Sequence, residues 1–250
     1  MRTPKETYEK YTAIGMAKTQ TKPIKVFVLA VLAGAYIAFA GIGSTFAGSL
    51  VNKLCAALIF CGGLSMVLVA GSELFTGNCL LIMPLCDGKV KLSAVIKNLC
   101  IVYIGNLIGS LLVALLAVYS GALDSVSEAA INTALSKTSL TFLQAVFKGV
   151  LCNILVCVAV WMSFTSDKTG DKITAVIFPV TLFVLCGFEH SVANMYFIPA
   201  GILLQGNVSG GVTVGDFLLK NLLPVTLGNI IGGMFVGLIY SFVYGKRTKK

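Results

Sequence analysis

Three stretches of this chain, residues 26–52, 98–123 and 221–245, contain no Asp, Glu, Lys or Arg. Each exceeds the roughly 20 residues that an α-helix, rising about 1.5 Å per residue, needs to cross a hydrocarbon layer. A soluble domain carries about a quarter of its residues as charges; here the share is 12%, against 57% hydrophobic, in 250 residues. No aqueous core of this size needs so much apolar surface. The sequence therefore specifies an all-α membrane protein with the bilayer as its solvent.

The remaining charges are segregated. A net charge of +9 raises nucleic acid as a partner, but that requires a basic patch on one folded surface. Here the basic residues sit in short segments between spans. Arg2, Lys5, Lys10, Lys18, Lys22 and Lys25 precede the first span. Lys89, Lys91 and Lys97 share one loop, Lys168 and Lys172 another, and Lys246, Arg247, Lys249 and Lys250 close the chain. A cytoplasmic N-terminus places all of these on one side and leaves Lys53, Lys137 and Lys220 opposite. This positive-inside bias predicts a multi-pass protein of the cell membrane with both termini cytoplasmic. Residues 1–25, polar and bearing Glu6 and Glu9, read as a cytoplasmic N-terminal segment rather than a cleaved signal; residues 246–250 read as a cytoplasmic basic tail. Most of the eight cysteines lie in apolar runs (Cys55, Cys61, Cys100, Cys152, Cys157, Cys186) and none form Cys-x-x-Cys. They read as small hydrophobes, with no metal or cofactor expected.

The chain repeats itself. Phe27-x-x-Ala30-Val31-x-x-Gly34 returns as Phe142-x-x-Ala145-Val146-x-x-Gly149, Glu73-x-x-x-x-Asn78 as Glu189-x-x-x-x-Asn194, and Gly105-Asn106-Leu107-Ile108-Gly109 as Gly228-Asn229-Ile230-Ile231-Gly232. Order and approximate spacing hold along the chain, which is the signature of duplication. Apolar segments fall near 26–48, 54–86 and 94–120, then 140–165, 173–203 and 217–243. Six transmembrane helices in two three-helix repeats, 26–123 and 138–245, follow. An odd number of spans per repeat inverts the second copy.

The second and fifth segments are interrupted, by Gly71-Ser72-Glu73 and by Gly187-Phe188-Glu189-His190-Ser191. Broken backbone at membrane depth is tolerated only where protein or a water-filled cavity satisfies it, and breaks at matching positions point to a transport pathway. Gly105/Gly109 and Gly228/Gly232 are expected to pack helices closely. Only Glu73, Lys148, Glu189 and His190 carry ionisable groups at that depth, and such residues face a bundle interior. His190, the sole histidine, is either a satisfied core group or a pore-lining group exchanging protons with a weak acid; its place at a break favours the pore. Lys148 either neutralises Glu73 or Glu189 across the bundle or draws anions by its potential. The two glutamates, equivalent by repeat, read as helix-break support together with Asn78. Thr76, Asn153 and Asn194 offer neutral hydrogen-bonding groups near the same level. Phe60, Leu64, Leu74 and Phe183 are either core or apolar constrictions that oppose bare ions.

With Glu73-Leu74-Phe75-Thr76, the run Gly187-Phe188-Glu189-His190-Ser191-Val192-Ala193-Asn194-Met195, and Asn221 through Gly233, the chain resembles the formate/nitrite transporter family over residues 10–245, and within it the hydrosulfide channel branch. The resemblance implies an aquaporin-like bundle, a homopentamer with one pore per protomer, and small monovalent anions as cargo: formate, nitrite or hydrosulfide, sometimes with protons. It places the pore histidine at His190, the loop threonine at Thr76 and the gates at Phe60, Leu64, Leu74 and Phe183. Formate channels can carry an uncharged residue where this chain has Lys148, which turns the expectation toward hydrosulfide, with proton-coupled formate or nitrite carriage as the alternative. No Asn-Pro occurs, against an aquaporin. A single histidine argues against ammonium channels and, without Cys-x-x-Cys, against a membrane-embedded redox or metal enzyme.

Overall fold

A computed structural model describes residues 1–206 and 210–245; the basic tail 246–250 lies outside the described residues. Among them there are helices and no strands. In order these are α1 (Pro4–Gln20), α2 (Pro23–Leu50), α3 (Lys53–Ala70), α4 (Phe75–Cys86) and α5 (Leu92–Tyr119), followed by α6 (Ser127–Thr138), α7 (Phe142–Ser163), α8 (Thr169–Leu185), α9 (Ser191–Gln205) and α10 (Asp216–Tyr244). Among these residues α2, α3, α5, α7 and α10 are long and apolar enough to cross a bilayer. The crossings expected at 54–86 and 173–203 are divided, between α3 and α4 and between α8 and α9.

The bundle is apolar outside and encloses a set of asparagines within its apolar core. Val28, Phe39, Leu112, Leu116, Phe235 and Leu238 stand exposed on the long helices, while Asn98, Asn106, Asn153, Asn194, Asn221 and Asn229 are buried. That reverses the usual soluble preference and suits helices bathed in lipid tails. Helix α2 packs along α5 and α3, and α10 packs along α7. The glycine spacing explains the closeness: a methyl on Gly109 would strike the carbonyl of Val31, and one on Gly232 the carbonyl of Val150. The first contact joins α5 to α2 and the second α10 to α7.

Two elements stand where the sequence reading had none. The N-terminal segment is a helix, started by Pro4 and a capping box in which Thr3 and Glu6 satisfy each other's backbone amides. Its Tyr8 and Tyr11 are buried against the bundle. The connector between the repeats also folds, as α6, and packs on α9. Neither has a long apolar run, so periodicity gives little sign of them. The start of α1 is tied down by Asp167, which takes bonds from both Arg2 and Lys10.

Two expectations follow. Gly109→Leu and Gly232→Leu each overpack a backbone contact and lower stability by at least about 1–3 kcal/mol, read as loss of monodisperse protein after a heating step. The Lys10 and Arg2 hydrogen bonds lower the Asp167 carboxyl from 3.8 to about 2. A depressed carboxylate stabilises above its unfolded value and loses that contribution as pH falls through the folded one. A spin label on α1 therefore keeps constant mobility down to pH 3.8 and loosens only toward pH 2, whereas Asp167→Asn loosens it at pH 7.

Candidate functional site

Each broken helix ends on a glycine in the left-handed region, Gly71 at φ 75° and Gly187 at φ 67°. Residues lacking Cβ adopt it without penalty. Extended segments follow, and then the short helices α4 and α9 begin. A break exposes amides and carbonyls that lipid cannot satisfy, and an asparagine from a third helix closes each gap. Asn106 accepts from the Phe75 amide at 2.9 Å and donates to the Glu73 and Ala30 carbonyls at 2.9 and 2.7 Å. Asn229 accepts from the Ser191 amide at 2.9 Å and donates to the Glu189 and Gly149 carbonyls at 2.9 and 2.8 Å. The side-chain amide stands in for the missing helical turn.

The two buried glutamates are held by a second matched set. Glu73 takes bonds from Lys18 Nζ at 2.8 Å and from Asn78 at 2.7 Å, and Asn78 also donates to Asn98. Glu189 takes bonds from Lys137 Nζ at 3.0 Å and from Asn194 at 2.6 Å, and Asn194 also donates to Asn221. Asn98 and Asn221 in turn donate to the carbonyls of Lys18 and Lys137. Lys18 comes from α1 and Lys137 from α6, so the two unforeseen helices supply the counter-charges.

This corrects the possible pairing of Lys148 with Glu73 or Glu189. Lys18 and Lys137, which in the sequence carry only a topology signal, reach them instead, and Lys148 has no ion pair among the described residues. Its carbonyl accepts from the Glu189 amide at 3.2 Å, and its side chain lines a cavity. Asn98 and Asn221 were also missed, although they are separated by the same interval as Gly105 and Gly228. Asn221 lies in a π-helical first stretch of α10, Asp216–Leu222.

At the N-termini of α4 and α9, Thr76 Oγ1 lies 2.9 Å from His190 Nε2. Both residues are buried. His190 Nδ1 accepts from the Ala193 amide at 3.1 Å, so that nitrogen is the unprotonated one. In the neutral ring Nε2 carries the proton and donates to Thr76. The Thr76 hydroxyl then has its own proton to offer.

Cavities lie on either side. One, of about 660 Å³, reaches His190 and is lined by Phe60, Phe183, Lys53, Lys137 and Lys148 among others. The Phe60 and Phe183 rings meet edge to face at 6.0 Å, and Phe183 stacks on His190 at 6.0 Å. The other, of about 30 Å³, lies beneath α1 and is lined by Leu64, Leu74, Tyr11, Phe164 and neighbours. Phe60 and Leu64, one helical turn apart on α3, thus divide the cavities. Asn153 and Asn194 line neither: Asn153 holds the Thr76 and Asn229 carbonyls at 3.2 and 2.6 Å, and Asn194 holds Glu189.

A bundle with two broken helices meeting at a buried hydrogen-bonding pair between two cavities belongs to the class of membrane channels and transporters. The formate/nitrite transporter model matches residues 5–242, and the chain belongs to that family. A probable formate transporter of Methanothermobacter thermautotrophicus is 42% identical over 98% of each chain. The formate channel FocA of Escherichia coli K12 is 37% identical over 92% of this chain and 90% of its own length. A solved FNT family ion channel superposes with a TM-score of 0.87 at 33% identity, covering 95% of this chain and 98% of that one. A pentameric formate channel with formate bound gives 0.78 at 34%, covering 90% and 98%. The protein is membrane-embedded and a channel or transporter rather than an enzyme.

Removing one partner of a buried ion pair strands the other, a cost of about 3–5 kcal/mol. Lys137→Met is expected to destabilise the protein to that degree in a thermal-unfolding assay, and Lys137→Met with Glu189→Gln to recover most of it. Equal stability in single and double variants would contradict the pairing.

Proposed function

We propose that this chain carries formate across the cell membrane, one pathway per protomer of a homopentamer, with both termini cytoplasmic and the three-helix repeats inverted. The observation that carries the reading is the Thr76–His190 pair at 2.9 Å, seated where two half-helix N-termini converge. The positive ends of two helix dipoles favour an anion there. Phe60 and Phe183 on one side, and Leu64 and Leu74 on the other, are the constrictions, and a bare anion crossing them is costly. Hydrogen bonds from Thr76 and His190 lower that barrier, while Lys148 and Lys53 make the larger cavity attractive to anions. Glu73, Glu189, Asn78, Asn153 and Asn194 hold the breaks open. Formate takes precedence over hydrosulfide because both the relatives and the solved neighbour with a substrate in their names concern formate; the branch resemblance and Lys148 are what favour hydrosulfide.

The ring geometry favours hydrogen-bond donation over proton lending. Nδ1 is committed to the Ala193 amide, so a second proton has no free lone pair, and surrender of the Nε2 proton would leave an imidazolate. Donation leaves the ring unchanged as the anion passes.

Loss of a hydrogen bond to a charged group costs about 1.5–3 kcal/mol. Thr76→Ala and His190→Phe are therefore each expected to cut formate flux into proteoliposomes about tenfold to hundredfold. Parallel assays with nitrite and hydrosulfide at two pH values set the substrate order. Hydrosulfide flux well above formate flux would overturn the order, and full flux in both variants would remove the pair from the mechanism.

A further inference from the structure

Besides the two cavities beside Thr76 and His190, the bundle carries a groove of about 670 Å³ between α5 and α10. It opens past Leu92, Ile96 and Ile104, each more than half exposed at 57%, 52% and 53%. Its floor is α4, through Phe75 and Cys79, which flank Thr76 on that helix. The two hydroxyls in its walls, Tyr103 and Thr226, bond to each other at 2.8 Å. The Phe75 ring closes edge to face on Tyr103 at 4.8 Å. The other lining side chains offer hydrocarbon and sulfur. A formate ion finds no free hydroxyl or ammonium there, so the groove is no branch of the pathway. It suits a chain of methylenes.

Length and position agree with that guest. On α5 the lining runs from Leu92, the first residue of the helix, to Ile104. That interval rises about 18 Å at 1.5 Å per residue. One leaflet contributes about 15 Å, half of the hydrocarbon core. The groove therefore begins at the edge of the layer and ends near its middle.

The edge is basic. Lys91 directly precedes Leu92, and Lys97 follows Ile96. Lys97 also shares a side of α5 with Cys100 and Ile104, three and seven residues on. Both lysines are exposed, and neither has an ion pair among the described residues. Lys89 in the same loop differs, being matched to Asp87 at 3.1 Å. A lysine stem lies along apolar surface and keeps its ammonium at the polar boundary. Two unmatched cations above a hydrocarbon slot complement a phosphate joined to an acyl chain. A second copy of this chain would bring a net charge of +9 to the same face, so charge favours lipid as the occupant.

We propose that the α5–α10 groove binds one anionic phospholipid, its acyl chain against Phe75 and its phosphate between Lys91 and Lys97. The site goes beyond the transport reading and does not depend on which anion crosses. Through Phe75 and Cys79 the bound chain touches the half-helix that carries Thr76.

Quenching in liposomes tests the site on the full-length protein. Ile104→Trp is a reporter in the groove, and Leu116→Trp, on an exposed position of α5 beyond it, is the control. The signal of the one native tryptophan, Trp161, is subtracted with wild-type protein. Each variant is reconstituted in phosphatidylcholine containing a minor share of brominated lipid, either phosphatidylglycerol or phosphatidylcholine with the same chains. Brominated phosphatidylglycerol is expected to quench Ile104→Trp at about a tenfold lower share than brominated phosphatidylcholine. Leu116→Trp is expected to respond equally to both. Ile96→Trp, nearer the lysines, is a second reporter with the same expected preference, which guards against a ring at position 104 filling the groove. Adding Lys91→Gln with Lys97→Gln is expected to abolish the preference. Equal quenching by both lipids at the two groove reporters overturns the proposal, as does a preference that survives loss of both lysines. Absence of quenching by either lipid there marks a groove covered by a neighbouring copy and overturns it too.

Discussion

Inside a hydrocarbon layer an unpaired amide or carbonyl costs several kcal/mol. This chain opens two such gaps, after Gly71 and after Gly187, and the rest of the fold is arranged around closing them. Asn106 and Asn229 each bridge a gap with one acceptor and two donor bonds. They can do so only because α5 lies against α2, and α10 against α7, at the near-contact distance that Gly109 and Gly232 permit. The glycine spacing and the asparagine bridges are thus one device: close helices bring the amide to the break, and the break directs two half-helix N-termini at one another.

The glutamates at the breaks set a second constraint. A buried carboxylate without a counter-charge would be prohibitive, and a net negative charge beside the pathway would repel the anions this family carries. Lys18 and Lys137 cancel that charge from outside the spans. The helices that bear them, α1 and α6, thus supply the counter-charges of both breaks. Lys53 and Lys148, which have no ion pair among the described residues, add positive charge to the lining of the larger cavity. Charge balance at the breaks and charge excess at the mouth are separate jobs performed by different lysines.

Much was legible because lipid imposes simple rules. Runs without charge marked the spans, and the matched Glu-x-x-x-x-Asn and Gly-Asn-x-x-Gly motifs marked the duplication. Glycine and glutamate in mid-run marked where the helices break, so Thr76 and His190 were named in advance. The bonds among them were not legible. Lys18 and Lys137 lie 55 and 52 residues from the glutamates they neutralise, in segments whose polarity reads only as loop. Nor were the two backbone carbonyls, of Thr76 and Asn229, to which Asn153 donates, legible.

The sequence by itself determined that this chain lives in a bilayer, that it is duplicated and where its helices are interrupted, because a single stretch of residues is enough to be excluded from, or admitted to, hydrocarbon. Only the tertiary structure decided which lysine meets which glutamate, which asparagine closes which break and which nitrogen of His190 faces Thr76. Those choices depend on distances of about 3 Å between groups far apart in the chain, and such proximity comes into being only when the helices pack.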